Sequence, residues 1–221
     1  MSEPAPLRIA VFGATGHIGS AIASEALAGG HRVTAISRHA SAQQARLAGK
    51  TAVSADILDV ASVVAAVSGH DAVVTAVSGR APGAGDTVSD AARVLLVALP
   101  RAGVTRLVFV GGGGSLNDAS GRRFVDDPNF PEQHKQEALV AAEALEVFRT
   151  SEETLNWPYL SPPPMHLFDA EKTGTYRVQA GDDPLIDETG ESRVALGDLA
   201  SAVIDVLEDG NFSCERFTVG Y

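Results

Sequence analysis

The sequence predicts an α/β chain: one domain built around a doubly wound parallel sheet. Three observations predict it. Strand and helix patterns alternate from one end nearly to the other. The strands are continuous apolar runs, as expected when helices cover both faces of a sheet. The first of them runs into a glycine-rich turn that opens a helix. Repeated βα units of this kind imply right-handed crossovers.

The opening unit is the most informative. Ile9-Ala10-Val11-Phe12 leads without a spare residue into Gly13-Ala14-Thr15-Gly16-His17-Ile18-Gly19. Gly13 permits the tight turn, Gly16 lets the backbone approach a pyrophosphate, and Gly19 allows the helix to pack close to its strand. The free N–H groups and dipole of that helix, around His17 and Ile18, face the anion. The spacing is G-x-x-G-x-x-G, and its place between strand and helix marks a dinucleotide cradle.

A helix over residues 18–27 stops at Gly29-Gly30. Arg32–Ser37 reads as the second strand and residues 51–55 as the third, followed by a short helix through Val63, Val64 and Val67. Residues 71–77 form a fourth, fully apolar strand. Val88, Ala91, Ala92, Leu95, Leu96 and Leu99 then make a helical stripe. Residues 106–110 give strand five. A long helix follows over Glu132–Arg149, with Ala138, Ala141, Ala142, Leu145 and Phe148 on one face. Residues 157–160 form a short sixth strand around Pro158. A helix after Asp198 carries Leu199, Ala202, Val203, Val206 and Leu207, and residues 216–219 form the last strand. Between Gly174 and Leu196 two strand-like pieces, 175–178 and 192–194, predict a small hairpin excursion with no domain of its own.

Composition narrows the partners. At 221 residues the chain suits one sizeable core, and no composition shift divides it. A net charge of −11 argues against nucleic acid or an anionic membrane surface. The single cysteine, Cys214, has no partner for an internal disulfide or a metal site, which suits a reducing cytoplasm. The first strand begins close to Met1, leaving no room for a signal peptide, and no apolar run reaches membrane-spanning length. The six histidines are scattered, without metal-ligand spacing.

In such a sheet a ligand lies across the carboxyl ends of the strands where their order reverses. The second strand ends Ser37-Arg38-His39 with no acid, so Arg38 can pair a 2′-phosphate and Ser37 can add a hydrogen bond. NADP(H) is therefore favoured over NAD(H). Asp56-Ile57 follows the third strand near the expected adenine, where Asp56 can accept from the exocyclic amine or cap the next helix. Ala76-Val77-Ser78-Gly79 ends strand four with small residues that allow close backbone approach. Gly111-Gly112-Gly113-Gly114-Ser115 ends strand five and leaves room for a flat nicotinamide. On the following helix His134 and Lys135 lie one turn ahead of Ala138. Lys135 can hold ribose hydroxyls or phosphate, and His134 can donate a proton near neutral pH.

Together, Gly13 to Gly19, Arg38, the glycine run into Ser115-Leu116, and Trp157-Pro158-Tyr159-Leu160-Ser161-Pro162 resemble the atypical short-chain dehydrogenases. Nearly the whole chain is similar to their small NAD(P)H-binding branch of NADH-flavin reductase-like proteins, related to the NmrA-like proteins. The resemblance implies a Rossmann-like sheet of order 3-2-1-4-5-6-7, with the loop from Pro162 to Phe168 walling the nicotinamide pocket. One feature departs from the wider superfamily, which reduces carbonyls with a Tyr-x-x-x-Lys pair and a nearby Ser. Ser115 and Lys135 can match its Ser and Lys, but position 131 is Pro, and none of Tyr159, Tyr176 and Tyr221 precedes a Lys by four. The expectation is an NADPH-dependent reductase, monomeric or homodimeric, acting on a flavin or quinone that needs no dedicated tyrosine. The alternative is a non-catalytic NADP-binding redox sensor of NmrA-like type.

Overall fold

The computed structural model describes residues 5–40, 51–78, 87–152, 154–164 and 166–221. The first half alternates β1 (Arg8–Phe12), α1 (His17–Ala28), β2 (Arg32–Ser37), β3 (Thr51–Ser54), α2 (Val60–Val67), β4 (Ala72–Thr75), α3 (Thr87–Arg101) and β5 (Leu107–Val110). The second half contains α4 (Glu132–Arg149), β6 (Tyr159–Ser161), β7 (His166–Phe168), β8 (Arg177–Ala180), β9 (Arg193–Ala195), α5 (Leu196–Asp209) and β10 (Arg216–Gly220).

Eight of these strands form one sheet in the order β3-β2-β1-β4-β5-β6-β10-β8. The first seven run parallel, matching the expected 3-2-1-4-5-6-7 order with β10 as its seventh member. The helices α1 and α5 pack together on one face, and α2, α3 and α4 on the other. Alternate residues of each strand therefore enter different cores. Ile9 and Val11 of β1 join Ile22, Val203 and Phe217 beneath α1 and α5. Ala10 and Phe12 join Leu95, Leu99, Phe109 and Phe148 on the opposite side. Both faces of these strands are buried, which is why they read as unbroken apolar runs.

Four aromatic residues cluster where α4 meets the sheet. Phe109 meets Phe148 edge-on with ring centres 5.0 Å apart and stacks on Tyr159 at 5.4 Å. Trp157 closes the cluster against Phe148. These rings give the β5–β6 half of the sheet a stiff floor on which α4 rests.

The expected hairpin does not form. β8 instead adds antiparallel to β10 at the edge of the main sheet, while β9 pairs in parallel with β7 in a separate two-stranded sheet. Burial explains the separation. All four β8 residues are exposed, whereas Val194 and Ala195 of β9 are fully buried. A β8 partner would leave them in water, and pairing with β7 places Val194 in the core under α1 and α5.

One buried carboxylate fastens this region. Asp198, in the first turn of α5, is fully buried. It accepts hydrogen bonds from the backbone N–H groups of Thr173 and Gly174 and from the hydroxyls of Thr173 and Tyr221. Burial pushes its pKa up, but these donors outweigh it and hold the carboxyl below its ordinary value. Its stabilising contribution is therefore complete above about pH 4 and lost as pH falls through the lower folded value. Asp198→Asn should destabilise the protein by about 1–3 kcal/mol near neutrality. Urea melts should show that difference closing in acid; a gap that stays constant to pH 2 would contradict the assignment.

Candidate functional site

The strand order reverses between β1 and β4, and the chain there is packed too tightly for side chains. Gly13 follows β1 with φ +79°, and a β-carbon on it would stand 2.3 Å from the carbonyl oxygen of Ala76 beyond β4. A β-carbon on Gly19 would stand 2.2 Å from the Gly13 carbonyl oxygen. Both glycines are thus required for α1 to start where it does. Gly16 donates its N–H to Gly13 at 2.9 Å and occupies the N-cap of α1 with no side-chain cap. The first intrahelical bond is from Ser20 to Gly16, so the N–H groups of His17, Ile18 and Gly19 point outward from the helix start. Thr15 lies half-buried in the turn itself.

From this turn a cleft of about 590 Å³ extends along the carboxyl edge of the sheet. Gly16, His17 and Ile18 line one end, Ala76, Val77 and Ser78 the middle, and Gly111, Gly112 and Pro162 the floor. The far wall is the first three turns of α4, with His134, Glu137, Ala138 and Ala141. Phe130, Pro163, Pro164 and Leu167 add apolar surface to a lining that is otherwise mixed. His17 also meets Asp169 at 3.1 Å across the mouth.

Several expected residues stand elsewhere. Ser37, Arg38, Asp56 and Ile57 lie beyond this lining, at the ends of β2 and β3 on the side of β1 away from β4. The Ser37 hydroxyl is buried without a hydrogen-bond partner among the described residues, and Arg38 beside it is exposed. Asp56 accepts from the Leu58 N–H, and it is Asp59 that caps α2. The Ile57 side chain is buried in the core, so only its backbone can meet a ligand. Gly79 and Met165 lie outside the described residues.

The catalytic candidates separate. His134 lines the cleft, but Lys135 does not. The two flanks of the inward α4 stripe have different neighbours: Glu137 faces the cleft, whereas Lys135 lies toward Asp126, whose carboxyl is held low first by Arg123 and also by Lys135. Glu137 was not anticipated from the sequence; it lies four residues before Ala141, as His134 lies four before Ala138, and that spacing is the signal that could have found it. Ser115 is turned away into the protein, where its hydroxyl accepts a hydrogen bond from Arg216 at 3.0 Å.

All three tyrosines serve the scaffold. Tyr159 is fully buried, donates to the Ala141 carbonyl at 2.6 Å, and has its ionisation pushed up by burial. Tyr176 donates to Asp205 and Tyr221 to Asp198. The glycine run answers the same packing. A β-carbon on Gly111 would fall 1.9 Å from the Tyr159 hydroxyl, one on Gly113 would meet the Pro162 carbonyl oxygen, and one on Gly114 the Ala138 side chain. Those glycines bring the protein's own layers together beneath the cleft.

Residues 13–210 match the NAD(P)H-binding family. The chain is 34% identical over 215 residues to the Bacillus subtilis (strain 168) "Uncharacterized protein YwnB", covering 96% of this chain and 98% of the relative. A solved "Putative exported protein" from Burkholderia pseudomallei superposes with a TM-score of 0.84 at 38% identity, over 97% of this chain and 100% of the other. A "putative NADH-flavin reductase" from Streptococcus pneumoniae TIGR4 gives the same TM-score at 33% identity, over 97% and 99%. Among the described residues no helix is long and apolar enough to cross a membrane, and no cluster of potential metal ligands occurs.

The packing account of the floor is open to a direct check. Gly111→Ala should cost about 1–3 kcal/mol by overpacking against Tyr159, read as a lowered melting temperature. Gly112→Ala should cost less, since its added carbon would stand 3.1 Å from Ala141. Equal losses would refute the account. The glycine turn at the switch point, the cleft that opens from it and the family match agree: the chain belongs to the NAD(P)H-binding family.

Proposed function

We propose that this protein is an NADPH-dependent reductase that passes hydride to a flat acceptor of the flavin or quinone class. The observation that carries this reading is the character of the cleft. One continuous space joins the helix N-terminus at Gly16 to a pocket walled by Phe130, Pro163, Pro164 and Leu167, and every tyrosine of the chain is engaged elsewhere. The residues fit the dinucleotide: Gly16 leaves the backbone bare at the pyrophosphate, and exposed Arg38 at the end of β2 suits a ribose 2′-phosphate.

When bound, NADPH supplies a hydride. Gly111 and Gly112 would lie beneath the two rings, Phe130, Pro163, Pro164 and Leu167 would shield them from water, and His134 would stand beside the acceptor. Reduction of a quinone or flavin takes that hydride and a proton, and either His134 or solvent can deliver the proton. Carbonyl reduction by the superfamily route suits this cleft poorly, because Ser115 faces Arg216 and position 131 is Pro. The lone cysteine and the cofactor's supply favour the cytoplasm as its compartment.

Purified protein should consume NADPH faster than the enzyme-free control when given a flavin or a quinone, with NADH as the poorer donor. Retention of NADPH without turnover of either acceptor would replace this reading with the non-catalytic redox sensor. Arg38→Ala should weaken NADPH binding by about 1–3 kcal/mol and leave NADH nearly unchanged, the range for a lost charge-assisted bond. Equal weakening of both would sink the assignment of Arg38. Replacing Gly16 with Val should abolish binding of both cofactors in a folded protein, because the new side chain projects into the cradle.

A further inference from the structure

Four consecutive glycines make a poor platform by themselves. Each lacks the side chain that would fix its backbone, so a loop built from them is held only by what touches it. Ser115 is the first residue after Gly111–Gly114 with a side chain, and that side chain is bonded out of the cleft. Its partner Arg216 opens β10 and is 4% exposed.

The Arg216 guanidinium has two further bonds. Nε and Nη2 both donate to Oδ1 of Asp182, at 2.9 and 2.6 Å. The same oxygen accepts from Nη2 of Arg149 at 2.6 Å, the last residue of α4. The backbone carbonyl of Asp182 accepts the Asn117 N–H at 2.8 Å, just beyond the Gly113–Ser115 turn. One carboxylate therefore anchors both the glycine floor and the helix whose opposite end carries His134 and Glu137. Arg216 is buried, but the Asp182 side chain is 41% exposed and that of Arg149 37%, so these pairs add little net stability and serve to specify an arrangement. Here the arrangement is the height of a glycine loop beneath the cleft.

We propose that Arg216 is a positioning residue for the acceptor: through Ser115, and with Asp182 as common anchor, it fixes the floor of the cleft relative to the α4 wall. A flat acceptor then has one available depth, set by where the glycine floor meets the α4 wall that carries His134 and Glu137. The proposal rests on the reductase reading for its consequence in turnover, but the strut itself belongs to the ligand-free chain.

The test uses Ser115→Ala, Asp182→Asn, Arg216→Lys and the double variant Ser115→Ala/Arg216→Lys. In ligand-free protein, backbone amide exchange at Leu116 and Asn117 should quicken about tenfold in each, the scale of one lost charge-assisted bond, while α1 stays as protected as in the wild type. With cofactor, the NADPH dissociation constant should stay within about twofold, because the cradle and Arg38 that would hold its phosphates lie away from the floor, and the acceptor KM should rise about five- to tenfold with a fall in kcat. The double variant should be no worse than the poorer single variant.

Unchanged exchange at Leu116 and Asn117 overturns the strut. Faster exchange with unchanged acceptor KM and kcat makes it merely structural and overturns the positioning role. Losses that multiply in the double variant mean that Ser115 acts on the acceptor independently of Arg216, which also overturns it. Should Arg216→Lys fail to fold, Ser115→Ala and Asp182→Asn carry the same comparison. Wild-type protein that binds no NADPH, or turns over neither flavin nor quinone, fails the reductase reading instead, and the exchange result still decides whether Arg216 holds the floor.

Discussion

The architecture depends on a contact that only hydrogen can occupy. The Gly13 carbonyl oxygen, the first turn of α1 at Gly19 and Ala76 just after β4 converge within distances that exclude a β-carbon at either glycine. This approach sets where α1 begins and hence where its outward N–H groups point. It also sets how closely β1 and β4 lie at the reversal of strand order, which opens the cleft. Van der Waals exclusion at two positions thus decides the geometry of a cradle built from backbone groups.

A second packing constraint governs the other end of the cleft. The aromatic cluster of Phe109, Phe148, Trp157 and Tyr159 lifts the β5–β6 half of the sheet against α4. The glycine run is the relief that lets the loop pass between them. The Tyr159 hydroxyl reaches the Ala141 carbonyl in the middle of α4, so the same residue that excludes side chains from the floor also pins the wall. Floor and wall are one mechanical unit.

Much of this was legible in the sequence, and the rest failed for identifiable reasons. The opening turn could be read because its constraints are local: strand, turn and helix follow each other within a dozen residues. The long helix Glu132–Arg149 could be read to the residue because its apolar period is sustained over five turns. The pieces at 175–178 and 192–194 could not be paired correctly, because their partners in β10 and β7 were chosen by burial across distant chain segments. Ser115 and Lys135 have residue types suited to chemistry, but local sequence does not tell which way a side chain turns. Arg216, far along the chain, claims the first, and the second sits on the wrong flank of its helix. The glycine run was recognised as important, yet its neighbours Tyr159, Pro162 and Ala138 were visible only in three dimensions.

The engagement of all three phenols in the scaffold has a consequence for what such a cleft can discriminate. An enzyme that carries its own strong acid can drive reduction of reluctant electrophiles by protonating them as they react. A cleft that offers stacking and dryness instead leaves the thermodynamic pull to the guest molecule. On the proposed reading, the range of acceptors is then bounded by two properties of those molecules: planarity narrow enough to enter beneath Phe130 and the prolines, and a reduction potential high enough to take electrons unaided. Chemically unrelated molecules that share both would compete as equals, so breadth of use would follow from the architecture itself.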